Sequence, residues 1–236
     1  MLVSTFLTRV NYVLRGTDDD APAVGTDDGD YWIGLLNTAK DELFEDVSKE
    51  WTYSYEVKSL GTISVSAAPS YPLASSFLSL SGDDEADVNE NGGLYVIKTD
   101  GNRVNIPVVH PKRRNSDLLQ AFVAGASPTV YFTQAITSDS ELVGGTLYAP
   151  GYYMPADVSS DSDTVPVPSA TWAVYIVASK VAFNDITYED KAPDLLAEAN
   201  DLYTKMVNKN NQSIFKNTAA IPRNYRPILN RTGRRP

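Results

Sequence analysis

The chain offers few side chains for catalysis. It has no cysteine and a single histidine, His110, which excludes cysteine nucleophiles, thiolate metal sites and clustered-histidine zinc sites. No glycine-rich phosphate-binding motif occurs, and no two carboxylates form a recognisable acid–base pair. His110 begins the segment HPKRRN (110–115), for which we predict an exposed turn; contact of Lys112, Arg113 and Arg114 with an acidic partner is the weaker alternative. The sequence therefore predicts neither an enzyme nor a cofactor.

Two acidic segments have ligands that could hold a cation. Residues 87–92 match the first half of a calcium-binding loop, D-x-N-x-N-G, but the twelfth position is Lys98 where the pattern requires a bidentate Glu. Residues 17–30 contain six Asp and no base, and the favoured interpretation is a solvated loop. In an oligomer such carboxylates could line a channel and repel DNA phosphates. We predict no metal site in either segment.

The C-terminal segment is the strongest candidate for binding. Residues 202–236 hold eight bases and no acid, whereas residues 1–201 hold 12 bases and 30 acids. Because a solubilising tail seldom carries so many apolar side chains, we predict that it orders on a protein partner; DNA binding and an inert tail are the alternatives. The expected contact residues are Phe215, Lys216, Arg223, Tyr225, Arg226, Ile228, Leu229, Arg231, Arg234 and Arg235.

Composition limits the remaining classes. The 236 residues carry a net charge of −10, which argues against a protein whose whole surface binds nucleic acid. With 42% hydrophobic and 21% charged residues, the chain is expected to be globular, with one large or two small domains. No apolar run approaches the roughly 20 residues that span a bilayer, and the N-terminus lacks a signal-peptide core. We expect no export and no membrane contact.

Apolar periodicity near 3.6 residues predicts a pair of helices at each end of the chain. The first helix ends at Gly16, and the second spans about 30–49 with Asp30 as N-cap. The third begins at Pro168 and Ser169, and the fourth runs from about Pro193 to 208. The predicted apolar faces are Leu2, Phe6, Val10 and Val13; Trp32, Leu35, Leu36, Ala39, Leu43 and Val47; Trp172, Tyr175, Ile176, Ser179, Phe183 and Ile186; and Leu195, Ala199, Leu202 and Met206.

Between the helix pairs the pattern alternates with period two, which predicts short strands. The turn Asp100-Gly101-Asn102 is a hairpin signal. The predicted strands are residues 51–57, 61–67, 76–82, 94–98, 102–109, 129–136 and 146–151.

The predicted fold is α+β. Neither helix pair can bury its apolar face alone, so residues 1–50 and 165–208 are expected to form a four-helix bundle. Residues 51–164 would be an inserted β-sandwich- or barrel-like domain, and residues 209–236 an extended basic tail.

The same segments resemble head-to-tail adaptor proteins of tailed bacteriophages, of the short-tailed-phage type. The first half carries S-T-F-L-T-R-V-N-Y-V-L-R (4–15), an acidic loop, Y-W-I-G-L-L-N-T-A-K-D-E-L (31–43) and W-T-Y-S-Y (51–55). The second half carries T-L-Y-A-P-G-Y-Y-M-P-A-D (146–157), S-D-S-D-T-V-P-V-P (160–168), W-A-V-Y-I-V-A-S-K-V-A (172–182) and D-L-L-A-E-A-N-D-L-Y-T-K-M (194–206).

The resemblance implies a structural virion protein at the neck, assembled in the host cytoplasm. Copies, typically twelve, would form a ring beneath the portal protein, bind a tail nozzle or tail-tube protein, and let double-stranded DNA pass without specific binding. The C-terminal tail would reach the portal through Tyr225, Ile228 and Leu229 as apolar anchors and Arg223, Arg226 and Arg231 as charge partners.

The alternative is a β-domain that binds glycans on a helical base, as part of a phage tail. Fourteen Tyr and three Trp leave room for an aromatic sugar platform, although we expect most of them at core-facing positions. A tail-associated hydrolase has no support beyond abundant Asp and Glu.

Overall fold

The computed structural model describes residues 1–45, 51–80 and 93–219, with side chains up to residue 212. In these ranges it has four α-helices and two antiparallel sheets, which confirms a mixed α+β fold. The helices are α1 (Val3–Arg15), α2 (Asp27–Phe44), α3 (Ala170–Asn184) and α4 (Ala192–Ala219). The strands are β1 (Tyr55–Thr62), β2 (Ser70–Pro72), β3 (Phe77–Leu80), β4 (Leu94–Ile97), β5 (Arg103–Ile106), β6 (Ala121–Ala124), β7 (Thr129–Phe132) and β8 (Thr146–Tyr153).

Helix α1 ends where the sequence predicts. Gly16 adopts φ 76°, a left-handed conformation that glycine reaches without a side-chain penalty, and its N–H donates to the carbonyl of Tyr12 at 2.8 Å. The buried face is rotated from the predicted one, since Leu2 is 49% exposed and Asn11 is fully buried. Asn11 is buried because its Nδ2 donates to the carbonyls of Thr17 and Asp19, which fixes the loop after the helix.

The predicted start of α2 at Asp30 is wrong. The helix begins at Asp27, and Thr26 is the N-cap, its hydroxyl accepting from the Gly29 N–H at 3.2 Å. Asp27, Asp28 and Asp30 therefore occupy the first turn, where the helix dipole favours negative charge. Three of the six Asp of the predicted acidic loop are thus helical.

Helix α3 is buried on more sides than predicted. Ser169 caps it as expected, accepting from the Trp172 N–H at 3.3 Å. The helix contacts α1, α2 and α4, so small residues such as Ala173 and Ala178 are buried all around it. The predicted core positions Phe183 and Ile186 are wrong, because they lie at and beyond the helix end, 55% and 90% exposed.

Helix α4 runs past the predicted end at 208 to Ala219, so residues 209–219 are helical rather than extended. The reason is a polar contact that apolar periodicity does not reveal. The buried Oδ1 of Asn210 accepts from the N–H and the hydroxyl of Thr52, both at 3.0 Å. This bond joins the fourth helix to the short 3-10 turn Thr52–Ser54 that precedes β1.

The β-rich part contains two antiparallel sheets. One has the order β1-β8-β4-β5 with β3 also paired to β8, and the other has the order β2-β7-β6. Within the described residues neither sheet closes into a barrel. The hairpin at Gly101 is confirmed, since β4 pairs with β5 and Gly101 has φ 82°. The prediction missed β2 and β6, and residues 51–57 begin as a 3-10 turn instead of a strand.

Buried apolar side chains form two clusters. The first joins the four helices with Trp51 and with Val158, Val165 and Val167 from the segment between β8 and α3. The second lies between the sheets and takes buried side chains from six of the eight strands and from the loops between them, such as Leu147 of β8 and Val130 of β7. Residues from both chain ends therefore share one core, and the middle of the chain builds another.

Candidate interaction surfaces

Polar side chains of α2 hold the segment that returns the chain from the sheets to the helices. Asn37 pairs with the backbone of Val158 through two hydrogen bonds of 3.1 Å, one in each direction. Lys40, 1% exposed, donates to the carbonyl of Pro155 at 3.1 Å and contacts the carboxylate of Asp157. These residues belong to the 31–43 motif that carries the resemblance, and here they join secondary-structure elements.

Sequence reasoning did not single out Lys40, although a signal was present. It lies four residues after the buried Leu36 and directly after the buried Ala39, on a face whose other members are apolar. A cation at such a position needs a partner, and Asp41 supplies a second carboxylate at 3.0 Å.

One end of the helical cluster carries a dense group of carboxylates. We define this acidic end as residues 15–30 and 183–191; the first range holds six Asp and one Arg, the second holds Asp185, Glu189, Asp190 and one Lys. Two contacts bring the ranges together. Lys191 Nζ donates to the carbonyl of Leu14 at 2.6 Å, and Asn184 Nδ2 donates to the Tyr31 hydroxyl at 2.9 Å.

Both bases of the acidic end are already engaged within it. Lys191 is bonded to the last turn of α1, and Arg15 approaches the carbonyl of Asp20 at 3.5 Å. Asp185 accepts from the Thr187 N–H at 2.9 Å, and hydrogen bonds from Thr187, with a smaller contribution from Arg15, hold the pKa of Asp185 below its ordinary value. The surface is therefore strongly negative at neutral pH.

The acidic end also includes two large exposed apolar side chains. Phe183 and Ile186 flank Asp185 in the chain and are 55% and 90% exposed. Tyr31, 43% exposed, adds an aromatic ring whose hydroxyl bonds to Asn184. Large apolar side chains that are exposed together are characteristic of contact surfaces.

A second surface is the outer face of the larger sheet, where tyrosines lie side by side. Tyr55 faces Tyr152 at 5.8 Å between ring centroids, and Tyr95 stacks on Tyr148 at 5.2 Å. The Arg103 guanidinium lies 3.9 Å from the centre of the Tyr95 ring. Neighbouring strand positions such as Leu94, Val96, Leu147 and Ala149 enter the core instead, so the expectation of core-facing positions is wrong for these four tyrosines.

The residues predicted to bind a partner fall mostly beyond the described part. Phe215 and Lys216 lie in the last turns of α4. The remaining predicted contacts lie outside the described residues: Arg223, Tyr225, Arg226, Ile228, Leu229, Arg231, Arg234 and Arg235. The calcium-loop match at 87–92 lies outside them as well.

Other candidates are placed by the structure. The exposed turn predicted at His110 is confirmed: residues Pro111–Arg113 form a 3-10 turn, and His110 Nδ1 accepts from the Lys112 N–H at 3.2 Å. Across the described residues, no three His, Asp or Glu side chains are grouped closely enough to hold a metal ion. No helix in those same ranges is both long and apolar enough to span a bilayer.

No protein-family model and no curated protein matches this chain.

Proposed function

We propose that this protein is a head-to-tail adaptor of tailed bacteriophages, a non-enzymatic virion component. Copies of it, twelve in the form that the resemblance implies, would form a ring under the portal. The ring would join the filled head to a tail nozzle or tail-tube protein and continue the DNA channel. It would be located at the neck of the virion, after assembly in the host cytoplasm.

The observation that carries the proposal is the packing of α3 against all three other helices. Helices from before and after the β-rich part share one core through this contact. We interpret them as the four-helix bundle expected of a ring wall, and the two sheets as an inserted sandwich that projects from it. Lys40 and Asn37 support this arrangement, since they bind the returning segment to α2.

The tail is proposed to bind the portal. Helix α4 is fixed to the body at Asn210 and continues to Ala219, so residues 220–236 follow a helix that already extends beyond its last described tertiary contact. Five Arg and no acid occur in these residues, with Tyr225, Ile228 and Leu229 among them. Arginine pairs bidentately with carboxylates, which suits a protein partner.

The test is binding of the full chain to purified portal protein. A truncation after Ala219 keeps the Asn210 contact and should lose portal binding. Reversal of Arg223 and Arg226 to Glu should weaken portal binding at least tenfold, because exposed charge pairs at an interface control association.

A matched control is the reversal of Lys112 and Arg114 to Glu, two exposed bases of the β-rich part. This variant should bind portal like the unmodified chain. Full binding by the truncated chain, with far-UV circular dichroism showing a normal fold, would refute the assignment of the tail.

The row of outer tyrosines favours one second candidate, a glycan-binding tail component. Tyr55 and Tyr95 offer partly exposed rings next to Arg103, an arrangement that suits sugar stacking. Glycan-array binding by the full chain that is lost in Tyr95→Ala would support this candidate, and no binding to any glycan would remove it.

A further inference from the structure

The acidic end presents a surface whose chemistry matches another part of the same chain. Ile186 and Phe183 are exposed apolar groups of the acidic end; they flank Asp185, and Glu189 and Asp190 follow in the chain. A partner for this surface needs apolar side chains that alternate with bases. The residues from 220 to 236 have this composition, with Ile221, Tyr225, Ile228 and Leu229 between five Arg and no acid.

Chain length decides whether this segment comes from the same copy. Helix α4 has 28 residues, and at about 1.5 Å per residue it carries the chain about 42 Å from the acidic end. Ten residues separate Ala219 from Leu229, and they can span at most about 36 Å even when fully extended. Tyr225 and Ile228 therefore fall short of the Ile186 surface of their own copy, and Leu229 approaches it only if every residue after Ala219 is fully extended.

We propose that residues 220–236 of one copy bind the acidic end of a second copy. The apolar anchors contact Phe183 and Ile186, and the arginines pair with the surrounding carboxylates. The contact runs from the tail of one copy to the body of the next, so each copy offers one tail and one surface. Such a contact is heterologous and can continue from copy to copy.

This inference does not require the portal, although it involves the same tail. In the free protein the second copy occupies the tail; at the portal the two partners compete for it. Association of copies is therefore measured without portal. A lack of self-association and a lack of portal binding are separate results, so one can be observed without the other.

The experiment is sedimentation velocity of full chains over a range of concentrations. Ile186→Lys places a cation in the negative surface at a position 90% exposed, where the fold does not depend on the side chain. We expect this variant to self-associate at least tenfold more weakly than the unmodified protein. The matched control is Val65→Lys, which also replaces an exposed apolar residue, at 58% exposure on the β-rich part, and should associate normally.

A mixing experiment shows the direction of the contact. The variant Arg223→Glu/Arg226→Glu keeps the surface and loses the tail charges, whereas Ile186→Lys keeps the tail and loses the surface. At a concentration at which neither variant associates by itself, an equimolar mixture should form pairs, because one copy supplies the tail and the other the surface. Association should also fall steeply as salt rises from about 0.05 to 0.5 M, since the ion pairs are exposed.

Three results would overturn the inference: a monomeric unmodified protein at all concentrations, equal association of the Ile186→Lys and Val65→Lys variants, or a mixture that does not pair. Because pairing in the mixture requires both variants to be folded, misfolding cannot imitate the expected result.

Discussion

Replacing Lys40 by Met tests whether the buried amine fixes the returning segment to the helices. The substitution keeps most of the side-chain volume and removes the charge. With the amine, the substitution removes the hydrogen bond to the carbonyl of Pro155 at 3.1 Å, the contact with Asp157 and the ion pair with Asp41. The side chain of Lys40 is 2% exposed, whereas those of Asp157 and Asp41 are 67% and 47% exposed.

The exposure of the two carboxylates sets the size of the effect. Both regain water when the amine is removed, so they are not left as buried charges, and the cost is smaller than the 3–5 kcal/mol or so typical of breaking a fully buried pair. The Pro155 carbonyl loses its charged donor, which costs about 1–3 kcal/mol. We expect Lys40→Met to lower the free energy of unfolding by about 2 kcal/mol. Lys40→Ala should lower it by about 2 kcal/mol more, since it also removes buried methylenes at about 0.8 kcal/mol each.

The assay is guanidinium unfolding followed by tryptophan fluorescence. All three tryptophans, Trp32, Trp51 and Trp172, belong to the helical core, so the signal reports the cluster that contains Lys40. The control is Lys180→Met. Lys180 donates to both carboxylate oxygens of Glu42 at 2.8 Å, but it is 25% exposed, and such pairs contribute about 1 kcal/mol or less.

An unfolding midpoint and slope for Lys40→Met equal to those of the unmodified protein would refute the reasoning. It would mean that the desolvation of the amine cancels its three contacts, and that apolar packing alone holds residues 155–158 in place. A larger loss for Lys180→Met than for Lys40→Met would contradict the assignment in the same way.

Two further predictions concern other buried polar groups. Burial raises the pKa of Tyr153 from 10.0 to about 12, so its contribution to stability is complete below pH 10 and is lost between pH 10 and 12, by about 2.7 kcal/mol in total. Tyr153→Phe removes the hydrogen bond to the Ala149 carbonyl, which should lower the free energy of unfolding by about 1 kcal/mol at pH 8. Because phenylalanine does not titrate, the variant and the unmodified protein should have equal free energies of unfolding near pH 11 in urea unfolding. A difference that does not depend on pH would contradict this. Asn210→Ala leaves two donors of Thr52 unpaired and should lower the free energy of unfolding by about 1–3 kcal/mol. It should also speed amide hydrogen exchange in α4 after Met206. Unchanged exchange would show that the contact is not needed for the end of the helix.

Local signals predicted the parts of the fold that depend on local chemistry. Gly16 and Ser169 mark a helix end and a helix start because a left-handed glycine and a capping hydroxyl act on their own few residues. The hairpin at Gly101 follows from the same kind of rule. At Asp30 two capping patterns compete, and Thr26 is the N-cap because its hydroxyl reaches the Gly29 N–H.

Features set by distant residues were not predictable from periodicity. Phe183 continues the apolar pattern of α3 by spacing, yet it lies in the last turn of the helix and is 55% exposed. Helix α4 continues past 208 because Thr52, far away in the chain, meets Asn210. The outer tyrosines alternate correctly with core residues, but a period of two does not say which face is covered. The sequence shows the acidic end only as a run of charges, because the hydrogen bond from Lys191 to the carbonyl of Leu14, which joins its two ranges, depends on the fold.

The shared core of the first and last helices has a consequence for synthesis on the ribosome. Residues 1–45 leave the ribosome first, but α1 and α2 bury their apolar faces against α3, whose last residue is Asn184. The two sheets use residues 55–153 and can complete their own core before α3 emerges. The nascent chain therefore carries two unpaired amphipathic helices while more than a hundred residues are added, a period in which they are open to aggregation or to chaperones. Slow codons placed before α3 would lengthen that exposure, whereas those placed after α4 has emerged would not.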